Sequence, residues 1–429
     1  MTIEQFVRIV AEQKEELFSE DYSRFCSRPE EMQLSLTSNL AQVVIGVRRC
    51  GKSTLCTKFL MDKKLKCGYV SLDDERLVDI SSEDLNKLLE AMYIVYGADI
   101  EYLFFDEIQN AQAWPLFVNR LLRQKKHIFV TGSNSKLLSN ELMTHLTGRH
   151  NAVALYPFSY SEFCNIEGVD MNGVTTKAEA RRIEFLHKYL NQGGMPELIT
   201  EQNRRKYISS LLNTIVRNDI AKRFNVQNVD ALHKIATYLV DNYGQEFIST
   251  KVGDLFEVNY KTAANYFRYL KEAFLLIGVP KFSFKAQERI RNEKCYVVDL
   301  AFPQEHDNSF SLENLGWKLE NVICVELLRR YKNQQADVFY YKEKAFECDF
   351  VIADGSRVRE LIQVSYDISS PKTRKREING LLKAAKALHC TNLTLITFSS
   401  SEELEVDGLK ILVVGASDWL LNSQCQSFS

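Results

Sequence analysis

The stretch Gly46-Val47-Arg48-Arg49-Cys50-Gly51-Lys52-Ser53 restricts this chain more than any other feature of its sequence. It spells G-x-x-x-x-G-K-S directly after a β-rich apolar run, Ala41–Ile45, and it opens a helical pattern, Ser53–Lys63. Two glycines let the backbone curl so that successive N–H groups face phosphates, and the helix N-terminus adds its positive end. Lys52 brings charge to the outer phosphates and Ser53 a hydroxyl for Mg²⁺. Gly46, Val47, Arg48, Arg49, Cys50, Gly51, Lys52, Ser53 and Thr54 are therefore the candidate nucleotide-binding residues. A strand, a loop and a helix in this order predict an α/β core around a parallel sheet.

Some fifty residues further on, Tyr102-Leu103-Phe104-Phe105-Asp106-Glu107 ends an apolar strand in two carboxylates. Asp106, with Ser53, is the candidate for holding the Mg²⁺ shell. Glu107 is the candidate for polarising the attacking water, the step that separates a hydrolase from a nucleotide holder. The next predicted strand, His127–Thr131, runs into Gly132-Ser133-Asn134. Ser133 and Asn134 are each eligible to sense a γ-phosphate, or to cap the helix that follows. Arg149 is placed either to reach a γ-phosphate, in its own or a neighbouring subunit, or to form a surface ion pair.

Around this nucleus, short strands (Gly68–Leu72, Tyr102–Phe105, His127–Thr131) alternate with longer helical patterns (Ser82–Tyr93, Trp114–Leu122), as in a parallel sheet covered on both faces. Residues 1–38 read as helix, and 176–240 as helix interrupted at Gln192-Gly193-Gly194-Met195-Pro196. Ser249–Gly253 and Val258–Leu270, followed by a β-rich stretch, read as a helix-turn-helix with a wing. Its second helix would present Asn259, Lys261, Thr262, Asn265 and Arg268 near one face, suited to phosphates or bases, although Tyr266, Phe267 and Leu270 belong to a core. Beyond Gly316 a helix, three strands, a helix and a strand predict a compact α/β unit.

The 429 residues are 45% hydrophobic, enough for about three domains. A net charge of −2 gives no global attraction to nucleic acid or acidic lipid, so such contacts must be local. No run reaches the roughly 18 apolar residues of a membrane span, and the start lacks a basic segment followed by an apolar core. Ten cysteines without a C-x-x-C pair read as reduced thiols, hence a cytoplasmic protein.

On Gly46–Ser53, Phe105–Gln109, Thr131–Asn134, Leu146–Arg149, Leu155–Ser159 and Gly193–Glu197, the chain resembles the bacterial and archaeal AAA-like ATPases that carry a C-terminal domain of unknown function, close to the STAND-type signalling ATPases. The resemblance implies that Gly194 and Pro196 form a lid turn packing near the adenine. The tail resembles the PD-(D/E)XK nuclease core, with Glu320, Asp349 and Gln363 at the metal-site positions. Gln363 is neutral where a carboxylate is common, and Ser365 stands at the lysine position, so a degenerate fold is expected.

The expected organisation is an N-terminal helical segment (1–38), an AAA-like P-loop NTPase core (39–165), a helical lid (166–240), a winged helix (241–305) and a PD-(D/E)XK-like α/β domain (306–429). The expected activity is Mg²⁺-dependent ATP binding and hydrolysis driving a switch of the winged-helix and nuclease-like domains. The alternatives are an ATP-gated DNA-binding regulator and an ATP-controlled nuclease. Expected partners are double-stranded DNA or a protein, with no membrane, for a monomer or a nucleotide-dependent homo-oligomer.

Overall fold

Five short apolar segments supply the first sheet. They are β1 (Ala41–Ile45), β2 (Cys67–Ser71), β3 (Tyr102–Asp106), β4 (His127–Gly132) and β5 (His150–Ala154). All pair in parallel, in the order β2-β3-β4-β1-β5. Val43, Val44, Ile45, Leu103, Phe105, Phe129 and Val130 are fully buried, as strands covered on both faces require. In the computed structural model, residues 1–78, 80–133, 148–306, 314–331 and 336–422 are described. The chain divides into two compact units, Met1–Leu155 with Glu272–Phe274, and Tyr156–Lys271 with Leu275–Ser429.

In the first unit, helices α1 (Ile3–Ser19), α2 (Lys52–Asp62), α3 (Asp84–Tyr96) and α4 (Trp114–Arg123) accompany the sheet. α1 starts in a capping box between Thr2 and Gln5 and buries Phe6, Ile9 and Val10. Its Gln13 amide clasps the end of β2, donating to the Ser71 carbonyl (3.1 Å) and accepting from the Ser71 N–H (2.9 Å). The helix expected over 1–38 is shorter than that. Past Ser19 the chain forms only 3₁₀ turns at Tyr22–Arg24 and Pro29–Gln33, because proline and the serine-rich stretch before β1 favour turns.

The second unit begins with α5 (Tyr160–Ile166), α6 (Thr176–Gln192), α7 (Arg204–Thr214), a π-helical continuation (Ile215–Lys222) and α8 (Val229–Asp241). Then come β6 (Gln245–Phe247), α9 (Ser249–Leu255), α10 (Tyr260–Glu272), β7 (Leu276–Pro280), α11 (Ala286–Arg291) and β8 (Glu293–Val297). These strands make an antiparallel sheet in the order β6-β8-β7. After α12 (Ala301–Glu305), the tail runs α13 (Leu315–Tyr331), β9 (Asp337–Glu343), β10 (Phe346–Asp354), β11 (Arg357–Ser365), α14 (Pro371–Leu388), β12 (Leu393–Thr397), β13 (Glu402–Val406), β14 (Leu409–Gly415) and α15 (Ala416–Leu421).

The tail sheet has the order β13-β14-β12-β11-β10-β9. β9, β10 and β11 are antiparallel neighbours, and β11, β12 and β14 run parallel. α14 supplies the crossover from β11 to β12 and buries Leu381, Leu382, Ala384, Ala385 and Leu388 in a core that includes Phe282 from beyond β7. No helix among the described residues is long and apolar enough to cross a membrane.

Candidate functional site

The phosphate loop leaves the C-terminal end of β1 and enters α2 at Lys52, with Gly51 before it at a φ of +94°. Gly46 must be glycine for a steric reason: a Cβ there would sit 2.1 Å from the Leu155 carbonyl oxygen, just past β5. The Lys52 ammonium lies inside the loop, 3.3 Å from the Gly46 carbonyl, 3.1 Å from that of Val47 and 3.8 Å from Glu107 Oε1. Arg48 pairs with Asp73 at 3.2 Å, Arg49 is exposed, and Cys50 is buried with its thiol facing the Leu155 carbonyl. Thr54 is half-buried as the third residue of α2.

Strand order decides what surrounds Ser53 and Asp106, the candidate magnesium ligands. β4 lies between β1 and β3, so its end stands between the loop and the two carboxylates. There Thr131 donates its hydroxyl to Asp106 Oδ1 and accepts the Glu107 N–H at 3.0 Å. Ser53 donates to the same Asp106 oxygen at 2.7 Å. Burial first, and then the negative charge of Glu107, push the Asp106 carboxyl up to about 6. A serine hydroxyl and a buried carboxylate in contact form an all-oxygen donor set that fits Mg²⁺. This ion is held by one or two protein oxygens and takes the rest of its shell from water and phosphates.

Glu107 itself is in the left-handed region, with φ 49° and ψ 46°, a conformation that costs a non-glycine residue roughly 1–2 kcal/mol. It turns the carboxylate back over the sheet, where it meets the Gln109 amide and the Ser133 N–H as well as Lys52. Asp106, Glu107, Lys52, Ser53 and Ser133 are thus brought together. Asn134 lies outside the described residues. Arg149 is exposed at the start of β5, where its carbonyl accepts the Ala41 N–H, so it sits at the end of the sheet opposite the loop. About 17 Å of strand separates the two ends, too far for Arg149 to serve the site of its own chain. Sequence reasoning passed over Thr131, Gln109 and the buried Arg28, whose guanidinium donates to the Cys50 carbonyl at 3.5 Å. Thr131 and Gln109 had a signal, since both lie in segments that carry the family resemblance, and Arg28 had none.

In the second unit, the Gly194-Met195-Pro196 turn is bound from two sides. The Gly194 carbonyl accepts the Phe158 N–H at 2.7 Å, and the Gly194 N–H donates to Asp299 Oδ2 at 2.7 Å. A Cβ on Gly194 would lie 2.1 Å from the Phe158 carbonyl oxygen, while the half-buried Pro196 starts a 3₁₀ turn. Asp299 was not anticipated.

Burial raises the Asp299 carboxyl from 3.8 to about 6, against the opposing pull of the Ala301 and Gly194 N–H groups. A raised carboxyl binds its proton in the folded chain at pH values where the unfolded chain has lost it. Its contribution to stability is therefore full below about pH 4 and disappears as the pH rises through about 6. The stability gap between wild type and Asp299→Asn should move toward wild type by about 3 kcal/mol between pH 8 and pH 4. Denaturant unfolding at both pH values checks this, and a gap independent of pH would refute it.

The tail gathers a second set of charges. Glu320 on α13 and Asp349 and Glu347 on β10 surround the ammonium of Lys294, which comes from β8. Glu320 and Glu347 lie 2.8 Å from the ammonium and Asp349 lies 3.8 Å away. Burial would lower the Lys294 pKa, but Glu320, Asp349 and Glu347 outweigh it and raise it. Burial, and then Glu320, raise Asp349 well above the carboxylate range. Of the three expected positions, Glu320 and Asp349 meet. Gln363 is engaged elsewhere, its amide donating to Glu377 at 2.9 Å and its oxygen accepting the Asp349 N–H at 3.4 Å. The Ser365 hydroxyl turns away to the Asp367 carbonyl.

A parallel sheet with a G-x-x-x-x-G-K-S loop at its C-terminal edge and an acidic pair two strands away defines a P-loop ATPase fold of the AAA type. Residues 38–164 match the family model described as an AAA domain, and residues 183–304 match a domain of unknown function, DUF8612. The chain is 32% identical over 404 residues to the uncharacterized protein MJ1544 of Methanocaldococcus jannaschii, spanning 91% of this chain and 89% of that one, and it belongs to the same family. An uncharacterized protein of Haemophilus influenzae is 28% identical over 403 residues, 90% of this chain and 95% of that protein. Among solved structures, a Walker-type ATPase of Pyrococcus abyssi is similar over 65% of this chain and 94% of that chain, with a TM-score of 0.45 and 15% identity.

Proposed function

We propose that the chain is an Mg²⁺-dependent ATPase whose binding and hydrolysis of ATP switch how the remainder of the chain engages double-stranded DNA. The observation that carries the hydrolytic part is Glu107. Its carboxylate is held in a strained backbone conformation beside Lys52, next to an Asp106 already bonded to Ser53. A carboxylate placed there suits a general base that takes a proton from the attacking water. Ser53 and Asp106 would hold Mg²⁺, which when bound offsets charge on the phosphates. Lys52 and the loop N–H groups orient the outer phosphates, and Glu107 orients a water and accepts its proton. Arg149 is left to act on a neighbouring copy of the chain, which favours a nucleotide-dependent homo-oligomer. Gly194 and Pro196 are assigned to a lid turn, and Ser133 or Asn134 to γ-phosphate sensing.

In this reading the core spans 39–165, the lid 166–240, the winged helix 241–305 and the nuclease-like domain 306–429. The order α8-β6-α9-α10-β7-α11-β8 supports the winged helix, and α13-β9-β10-β11-α14-β12 supports the nuclease-like scaffold. DNA contact is supported by Asn259, Lys261, Asn265 and Arg268, all exposed on or just before α10, while Ala263, Tyr266, Phe267 and Leu270 are buried. Metal-dependent cleavage is not part of the proposal, since the carboxylates that would hold the metal surround Lys294.

Phosphate release from ATP, measured with and without double-stranded DNA, tests it. Turnover that DNA raises by about tenfold or more is the expected result. Turnover indifferent to DNA would remove DNA as the partner and favour a protein. Nucleotide-dependent DNA retention without turnover would replace the ATPase by a gated binder.

A further inference from the structure

Three carboxylates of the tail converge on the Lys294 ammonium, while Lys342 lies 3.5 Å from the other oxygen of Glu347. Glu320 Oε1 receives both the Lys294 ammonium at 2.8 Å and the Tyr296 hydroxyl at 2.6 Å, so two residues of β8 converge on one oxygen of α13. Glu347 Oε1 takes a second ammonium hydrogen at 2.8 Å, and Asp349 Oδ1 faces the same nitrogen at 3.8 Å. The other Asp349 oxygen is fixed by the Val364 N–H at 2.9 Å. The Lys294 side chain is 6% exposed, so its charge is answered by these groups and not by water.

Beside the Lys271–Glu293 ion pair, β8 is held by contacts that do not depend on the Lys294 charge. The Asn321 side chain closes a pair of hydrogen bonds with the backbone of Val297, both 2.9 Å, and β8 pairs along its length with β7. Lys294 is therefore delivered to the cluster by a strand that is anchored independently.

We propose that Lys294 is the resident cation of this centre. Its ammonium takes the place between Glu320, Glu347 and Asp349 that a divalent ion would need, and it thereby keeps the tail free of metal and joined to β8. An ammonium 2.8 Å from two carboxylate oxygens leaves no room for a magnesium or manganese ion, which needs those same oxygens at about 2.0–2.2 Å. One charge cannot be added without removing the other, because a second cation at this distance would be repelled in a buried setting. The centre is thus a latent divalent-cation site of carboxylate chemistry, shut by a lysine from the neighbouring sheet. This inference is independent of the nucleotide site.

Manganese titrations of the full chain without nucleotide, read by the electron-spin signal of the free ion, test it. Wild type and Asp349→Asn should give the same isotherm, since the cluster binds no ion in either. Lys294→Met should gain one site that binds at least about tenfold more tightly than any in wild type, and manganese should raise its unfolding temperature. Asp349→Asn added to Lys294→Met should abolish both effects. Should Lys294→Met fail to fold, Lys294→Met with Glu347→Gln removes one of the charges that Lys294 answers, retains Glu320 and Asp349, and reads the same gain. A wild-type site lost in Asp349→Asn would overturn the proposal, as would a folded Lys294→Met chain with the wild-type isotherm.

Discussion

Lys52→Ala is expected to weaken ATP binding by about a hundredfold or more, the effect of losing one buried, charge-assisted contact with phosphate of roughly 3 kcal/mol. The side chain is 3% exposed and is held by the Gly46 and Val47 carbonyls at 3.3 and 3.1 Å, so its ammonium is already at the centre of the loop. A lysine held this way loses little rotamer freedom when phosphate arrives, which makes its contribution larger than that of an exposed lysine. Titration with a fluorescent ATP analogue measures the loss, and the unfolding temperature serves as the control for folding. An affinity within threefold of wild type would show that the phosphates are bound without Lys52.

Glu107→Gln should separate binding from chemistry. The glutamine keeps the size of the side chain and an oxygen able to accept from the Ser133 N–H and the Gln109 amide, both of which now bond to Glu107. What it loses is the capacity to take a proton from water, a loss expected to lower turnover by about a thousandfold. ATP affinity should change by less than about threefold, because the interaction with Lys52 at 3.8 Å is long and is shared with the loop carbonyls. Single-turnover phosphate release and nucleotide titration on one preparation distinguish the cases. A parallel fall in affinity and rate would instead make Glu107 a partner that positions Lys52.

The two experiments depend on residues that were legible for different reasons. The loop from Gly46 to Ser53 is a local object: its glycines, its lysine and the start of α2 lie within eight consecutive residues, so spacing alone defines their geometry. The strands were legible too, since β3 and β4 are near-continuous apolar runs buried on both faces, and the edge strand β2 alternates buried and half-buried residues. β5 was not anticipated, because His150-Asn151-Ala152 at its start carries no strong apolar or alternating pattern. The parallel pairing of β5 with β1 holds it in the sheet regardless.

Arg149 and Lys294 show the limit of reading along the chain. Arg149 has the residue type and motif context of a phosphate sensor, yet it stands at the start of β5 beside Ala41, at the wrong end of the sheet for its own loop. Lys294 belongs to no motif. It matters because β8 is pinned to α13 through Asn321, bringing its ammonium to carboxylates that lie 26 to 55 positions further along the chain.

By itself the sequence determined the phosphate loop, the acidic pair that ends β3, the α/β class of the core and most of the helices, because hydrophobic periodicity and short-range spacing act over a few residues. Tertiary structure alone decided the strand order that brings Thr131 of β4 onto the Asp106 oxygen that Ser53 also bonds. It also decided the grip of Asp299 on the Gly194 turn and the choice of a lysine as the cation of the tail. The physical reason is the same in each case. Hydrogen bonds and charge pairing depend on distances of about 3 Å between side chains, and only the packing of distant segments sets those distances.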